Sequence, residues 1–230
     1  MFNAVYHVAT LNHWRDVLAE QLPILLGNTS LKGLVMTIAT GSDASARAAI
    51  DAAQAHIARS HRMIQFHPLI CRLDEFEHAA MDAMDQLAAQ DPDPILYFHA
   101  KGVSYSPRNE LVERWRILLN RFVARADHWA TFLDGSDFDT CGPFLMTDLG
   151  HLLSYFPGNF WLARPGYLRL LPRYADWVRN PPLFEPFGRY LAELAVNRQN
   201  RMVPYITEGV ALNNHTWLPF LRRTVGLPPE

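Results

Sequence analysis

Over its first hundred residues the chain alternates short, unbroken apolar runs with stretches whose apolar residues recur every three or four positions. Val5–Ala9, Leu34–Ala39, Met63–Phe66 and Ile95–Phe98 are runs of the first kind, and each has the length of a strand. Between them, Trp14, Leu18, Leu22 and Leu25 mark a helical stripe, with Asn12 placed to cap it and Gly27 to end it. Asp43 is placed to cap a second helix carrying Ile50, Ala53 and Ile57. Phe76, Ala80, Met84 and Leu87 mark a third helix, closed by the Asp-Pro-Asp-Pro run that ends at Pro94. Pro68 is expected to stop the third strand. Unbroken apolar strands joined by amphipathic helices predict a mostly parallel central sheet flanked by helices, an α/β fold.

The second half reads differently. Ser106 and Pro107 are placed to start one long helix whose buried stripe is Leu111, Trp115, Leu118, Phe122, Trp129 and Leu133. A polar, turn-rich loop, 134–142, follows. Pro143–Met146 and Phe160–Ala163 are candidate short strands, Phe187–Val196 a candidate helix and Val203–Ile206 a late strand. No linker composition separates the halves, so a single domain over 1–230 is expected, with 105–230 completing the sheet and covering its ligand edge.

Composition narrows the function classes. Apolar residues make up 49% of the chain and charged residues 19%, which is globular and not disordered. A formal net charge of −2 gives no field that draws the whole molecule to nucleic acid or to an acidic membrane. The two cysteines, Cys71 and Cys141, form neither a disulfide framework nor a zinc spacing, so a reducing cytoplasm is the expected location, with a peripheral position at the inner membrane face left open. The N-terminal residues lack a basic segment leading into an apolar one, and no run is long enough to span a bilayer, so neither a secretory signal nor a transmembrane segment is expected. There is no Gly-Lys-Ser/Thr phosphate loop and no Gly-x-Ser-x-Gly elbow.

In sheets of this kind, ligands sit beyond the carboxyl ends of the strands. That rule gathers Thr10, Thr40, His67 and the turn His99–Gly102 around one crevice. His99 and Lys101 are two apart at a strand end and so share a side. A histidine and an ammonium there suit a phosphate or diphosphate, and Gly102 lets the backbone come close. The same residues also fit a solvated turn. Asn159 and Trp161, in Gly158-Asn159-Phe160-Trp161, offer an amide and an indole face, which suit hydroxyls and the apolar face of a sugar; they equally fit a core. Asp137 and Asp139 form an Asp-x-Asp pair that could hold a divalent metal, or ordinary turn chemistry. Arg116 follows Trp115 and lies nearest the Lys101 turn of the arginines on the long helix.

The segments Tyr6-His7-Val8-Ala9-Thr10, Tyr97-Phe98-His99-Ala100-Lys101-Gly102-Val103, Trp115-Arg116, Asp139-Thr140-Cys141-Gly142 and Gly158-Asn159-Phe160-Trp161, together with Glu193, carry a family likeness over about positions 4 to 196. The chain resembles small bacterial and phage glycosyltransferases of the GT-A type, which use nucleotide sugars and have one Rossmann-like domain. The resemblance implies a nucleotide-sugar-binding half, 1–104, and an acceptor-side half, 105–230. His7, Thr10, His99, Lys101, Gly102 and Arg116 would bind the donor, and Asn159 and Trp161 the acceptor. Glu193 would be the base, with Asp139 as the alternative. His99 and Lys101 stand where the wider group has Asp-x-Asp, so a divalent metal is possible but not favoured and no metal-ligating residue is assigned; a lysine could stabilise the leaving diphosphate instead. No tightly bound cofactor is expected; the co-substrate would be a nucleoside-diphosphate sugar. The acceptor would be a hydroxyl of a polysaccharide, a lipid-linked glycan or a modified phage DNA base. A nucleotide-sugar hydrolase or pyrophosphorylase is the second reading. A non-catalytic sugar-binding or scaffold domain is the third, kept open by the missing Asp-x-Asp.

Overall fold

A computed structural model describes residues 1–75, 77–143, 146–148, 153–156 and 158–170. The candidate helix Phe187–Val196, the candidate strand Val203–Ile206 and the residue Glu193 lie outside the described residues.

The first four strands are β1 (Phe2–Ala9), β2 (Leu31–Thr40), β3 (Gln65–Arg72) and β4 (Ile95–His99), joined by helices α1 (Trp14–Leu26), α2 (Asp43–Arg59) and α3 (His78–Gln90). Helices α4 (Glu110–Val123) and α5 (Ala126–Asp134) follow, then β5 (Thr140–Cys141). Strands β6 (Met146–Asp148) and β7 (Leu153–Tyr155) pair with each other, and β8 (Trp161–Ala163) leads into the short helix α6 (Pro165–Leu168).

The main sheet has six strands in the order β3-β2-β1-β4-β8-β5. β1 to β4 are mutually parallel, whereas β8 runs antiparallel to both β4 and β5. The sheet is therefore mixed, and the expectation of a mostly parallel sheet is corrected to that extent. β8 follows the turn at Gly158 and Asn159 and enters the sheet between β4 and β5, antiparallel to both.

Alternate strand residues face two separate cores. Ala4, Tyr6, Val8, Leu96 and Phe98 pack with α1, α4 and α5, and Tyr6 stacks on Phe98 at 4.4 Å between ring centroids. Val5, Val35 and Tyr97 face the other way, onto Met81 and Met84 of α3 and onto Trp161 and Tyr167.

Several predicted boundaries move for identifiable reasons. β3 runs through Pro68, paired with Met36, because it is an edge strand and the missing N–H faces no partner. Ser42, and not Asp43, caps α2: its hydroxyl accepts from the Ser45 N–H at 3.2 Å. The long helix breaks at Ala124 and Arg125 into α4 and α5 and starts at Glu110, where Asn109 accepts from the Val112 N–H at 3.2 Å. Of the expected strand Pro143–Met146, Met146 lies in β6 and Pro143 in a bend, and residues 144 and 145 lie outside the described residues.

Candidate functional site

The carboxyl ends of β1, β2 and β4 meet at one edge. Thr10 follows β1, and its hydroxyl donates to the Thr40 hydroxyl at 2.7 Å. Its N–H donates to the Ala39 carbonyl at 2.8 Å. Thr10 keeps partial exposure, as its proposed place on the rim requires.

The turn after β4 is fastened from two sides. Asn12 donates its side-chain amide to the Val103 carbonyl at 2.8 Å. Arg116 donates to the Lys101 carbonyl at 3.2 Å. Gly102 has φ of 95°, and a Cβ there would lie 3.1 Å from Val112 Cγ1, so both backbone shape and crowding call for glycine. Lys101 is half-buried, and its ammonium makes no hydrogen bond or ion pair with the described residues.

Arg116 has a different place from the one expected. Its guanidinium is 5% exposed and grips Glu20, with Nε to Oε1 at 3.2 Å and Nη2 to Oε2 at 2.9 Å. Asn120 donates to the same Glu20 at 2.6 Å and accepts from Gln21 at 2.9 Å. Gln21 also takes the Tyr6 hydroxyl at 2.9 Å and donates to the His99 carbonyl at 3.2 Å. With its donors committed inside the protein, Arg116 braces the turn from below and does not present a charge to a ligand.

On the opposite face of β4 lies a second buried polar cluster, centred on Glu77. This carboxylate precedes α3 and is 2% exposed. Its Oε1 accepts from His99 Nδ1 at 2.8 Å. Its Oε2 accepts from the Tyr97 hydroxyl and from Asn159 Nδ2, the latter at 2.6 Å. Burial alone would raise the Glu77 pKa, but the neighbouring imidazole of His99, with His7 and the Tyr97 hydroxyl, outweighs it and lowers the value to about 2. Glu77 is thus ionised at neutral pH.

His7 is 5% exposed and its Nδ1 is 2.9 Å from the Thr37 hydroxyl. Desolvation pushes its pKa down to about 4, against the pull of Glu77, so it is neutral. His7 lies beside His99 across the β1–β4 pairing, sealed beneath the edge; direct contact with a donor, as expected for it, does not fit that burial.

The acceptor-side expectation for Asn159 and Trp161 is also corrected. Trp161 is fully buried, packs against Tyr97 and donates its indole N–H to Asn159 Oδ1 at 3.1 Å. That bond turns the amide nitrogen of Asn159 towards Glu77. Gly158 and Asn159 both have positive φ, 87° and 58°, and a Cβ on Gly158 would lie 2.6 Å from Leu119 Cδ1. The Gly-Asn pair is there for a tight, left-handed turn against α4, and the indole is core.

Asp139 lies at the other end of the sheet. Its carbonyl accepts from the Arg164 N–H at 2.8 Å, next to Ala163, which pairs with Ile95 at the start of β4. With Arg164, Tyr167, Pro92 and Pro94 it lines a recess of about 310 Å³. The length of β4, roughly 13 Å, separates that end from Lys101, so Asp139 is not placed to serve as the alternative base. Asp137 is on the exposed loop beside it. His67, expected at the crevice, instead pairs with Val35 in the middle of the edge strand. No cluster of three or more His, Cys, Asp or Glu side chains able to hold a metal occurs among the described residues. Among those residues, no helix is long and apolar enough to cross a membrane.

Glu77 is the residue that sequence reasoning missed. Its signal was present: Glu77 lies four residues before Met81 and seven before Met84, on the buried stripe of α3. A carboxylate in line with an apolar stripe asks for buried partners.

No family model matches the chain, and no curated protein does. Among solved structures, the fold is similar to HddC from Yersinia pseudotuberculosis, at 8% sequence identity and a TM-score of 0.39, over 76% of this chain and 81% of that one.

Proposed function

We propose that this protein transfers a sugar from a nucleoside-diphosphate sugar to a hydroxyl acceptor, on a GT-A type, Rossmann-like domain. The observation that carries the reading is Lys101. It presents an ammonium without a partner among the described residues, on a glycine-bent turn at the carboxyl end of a parallel strand. A compact cation held there is suited to the diphosphate, whose charge grows as the sugar departs. Thr10 and the nearby backbone offer polar groups for the nucleoside on the neighbouring strand end. The resemblance of the sequence motifs to GT-A glycosyltransferases supports the same assignment, and Glu193 remains the base it suggests. The acceptor would be a glycan, a lipid-linked sugar or a modified nucleobase.

The test is nucleotide release from a panel of UDP-, GDP-, CDP- and dTDP-sugars, with and without EDTA, followed by addition of acceptor glycans. Release that rises with acceptor supports transfer. Release independent of acceptor points to a hydrolase, and absence of binding to the whole panel by calorimetry overturns the enzymatic reading. Glu193→Gln is expected to spare donor binding and lower turnover about 10²-fold or more.

A further inference from the structure

The turn after β4 displays one aromatic ring. Tyr105 is 45% exposed. Its ring stacks on no other ring, and its hydroxyl makes no hydrogen bond, among the described residues. This exposure does not come from a loose segment. The Tyr105 N–H donates to the Gly102 carbonyl at 3.2 Å, closing a turn that keeps the two Cα atoms within about 7 Å. Val103, inside that turn, is buried in the core that also holds residues of α1 and α4. Tyr105 is therefore held beside the glycine that follows Lys101.

Among the described residues with large, exposed apolar side chains, Tyr105 alone belongs to this turn. Phe132 and Phe138 stack on each other at α5 and the loop after it, and Leu69 and Ile70 lie on the edge strand β3. Ser104 and Ser106 are exposed as well, so hydroxyls flank the ring in the sequence. An aromatic face beside hydroxyls suits a ligand with apolar C–H faces and a hydroxyl rim, which is the chemistry of a sugar. Trp161, being core, cannot supply that face to a ligand.

The course of the chain decides which part of a nucleotide sugar would meet the ring. The Ala100 N–H donates to the His7 carbonyl at 2.8 Å, so β1 and β4 stay paired to their carboxyl ends. Beyond that point the two segments part. Thr10 leans to β2, its N–H on the Ala39 carbonyl. Residues 101–109 run the other way, over the starts of α1 and α4. Asn12 holds the Val103 carbonyl there, and Arg108 pairs with Asp16 and, at 3.6 Å, with Glu113. Lys101 stands between the two branches. With the diphosphate on Lys101 and the nucleoside towards Thr10, the sugar at the far end of the diphosphate falls on the Tyr105 side. We propose that Tyr105 is a binding residue of this site, its ring packing against the C–H face of the sugar that the nucleotide carries. This rests on the glycosyltransferase reading and deepens it.

The test is calorimetry on the full chain with UDP-, GDP-, CDP- and dTDP-glucose and with the four parent diphosphates, for wild type and for Tyr105→Ala, Tyr105→Phe and Tyr105→Trp. Because the ring is exposed and without partners among the described residues, all three variants are expected to melt with wild type. Tyr105→Ala is expected to weaken the nucleotide sugar that binds by about 10-fold and to leave its parent diphosphate unchanged. Tyr105→Phe and Tyr105→Trp, which keep a ring face, are expected to retain the affinity. Saturation-transfer NMR is expected to show the sugar C–H protons against the ring in wild type and not in Tyr105→Ala. Equal loss for nucleotide sugar and diphosphate would assign the ring to the base or the phosphates and overturn the proposal. A loss in Tyr105→Phe as large as in Tyr105→Ala would assign the contact to the hydroxyl and overturn it too. A nucleotide sugar bound equally well by wild type and Tyr105→Ala would overturn it while leaving the function reading intact. No binding to any member of the panel would overturn both.

Discussion

The side-chain amide of Asn12 donates to the carbonyl of Val103 across 2.8 Å, tying the end of β1 to the turn that follows β4. Asn12 has φ of 44°, a left-handed conformation that asparagine tolerates better than most residues. Asn12→Ala loses the bond and keeps the strain. A stability loss of about 1–2 kcal/mol is expected, with weaker nucleotide-sugar binding as the Lys101 turn loosens. Thermal melting and calorimetry on the same sample check both.

Lys101→Ala separates binding from stability. Because its ammonium has no partner among the described residues, the melting temperature is expected to stay within experimental scatter of wild type. Affinity for a nucleoside diphosphate is expected to fall about 10-fold or more, and to lose much of its salt dependence. A variant that binds as tightly as wild type removes the diphosphate role.

Arg116→Ala has the opposite signature. It strands Glu20 and unfastens the Lys101 carbonyl. The side chain of Arg116 is 6% exposed but that of Glu20 is 33% exposed, so the loss is expected at roughly 2–3 kcal/mol, below that of a fully buried pair. Arg116→Lys is expected to rescue little, since an ammonium cannot span both Glu20 oxygens and the carbonyl. Chemical denaturation measures the difference.

Acid is expected to destabilise the protein in two stages. The folded pKa of His7, about 4, lies below the usual 6.5, so the unfolded chain takes the proton first as pH falls. Stability tied to neutral His7 is complete above 6.5 and lost between there and about 4. Glu77 is depressed from 4.5 to about 2, so its contribution is present above 4.5 and lost as pH falls through 2. Melting temperatures are expected to hold from about pH 8 to 6.5 and to decline from there to about pH 3, with His7→Gln flattening the upper part of the decline and Glu77→Gln the lower. A profile unchanged by His7→Gln contradicts the neutral, desolvated state of that ring.

The strands and helices up to Ile95 were legible because each carries a period long enough to read, and tertiary packing agreed with it. β8 was seen as a strand, but its direction was not. Three residues hold no information on pairing sense; that sense is set by tertiary pairing with β4 and β5. The segment Gly158-Asn159-Phe160-Trp161 misled the reading of function. An amide beside an indole suits a sugar, yet here backbone geometry selects the glycine and asparagine, and burial selects the indole. The edge itself was found through the parallel-strand rule, which located Thr10, Lys101 and Gly102 correctly at the carboxyl ends. Arg116 could not be separated from the solvated arginines of α4 by spacing, because its partner Glu20 lies 96 residues away on α1.

β4 carries unlike chemistry on its two sides: Tyr97 and His99 meet the Glu77 carboxylate, while Phe98 stacks on Tyr6. A one-residue slip during folding would thrust the Phe98 ring onto the carboxylate and drive His99 among the aromatic rings opposite. Both sides would be penalised together, one by a stripped charge and the other by a misplaced imidazole. The polar groups therefore act as a key that admits a single alignment of the central strand, and so hold the Lys101 turn at one height above the sheet.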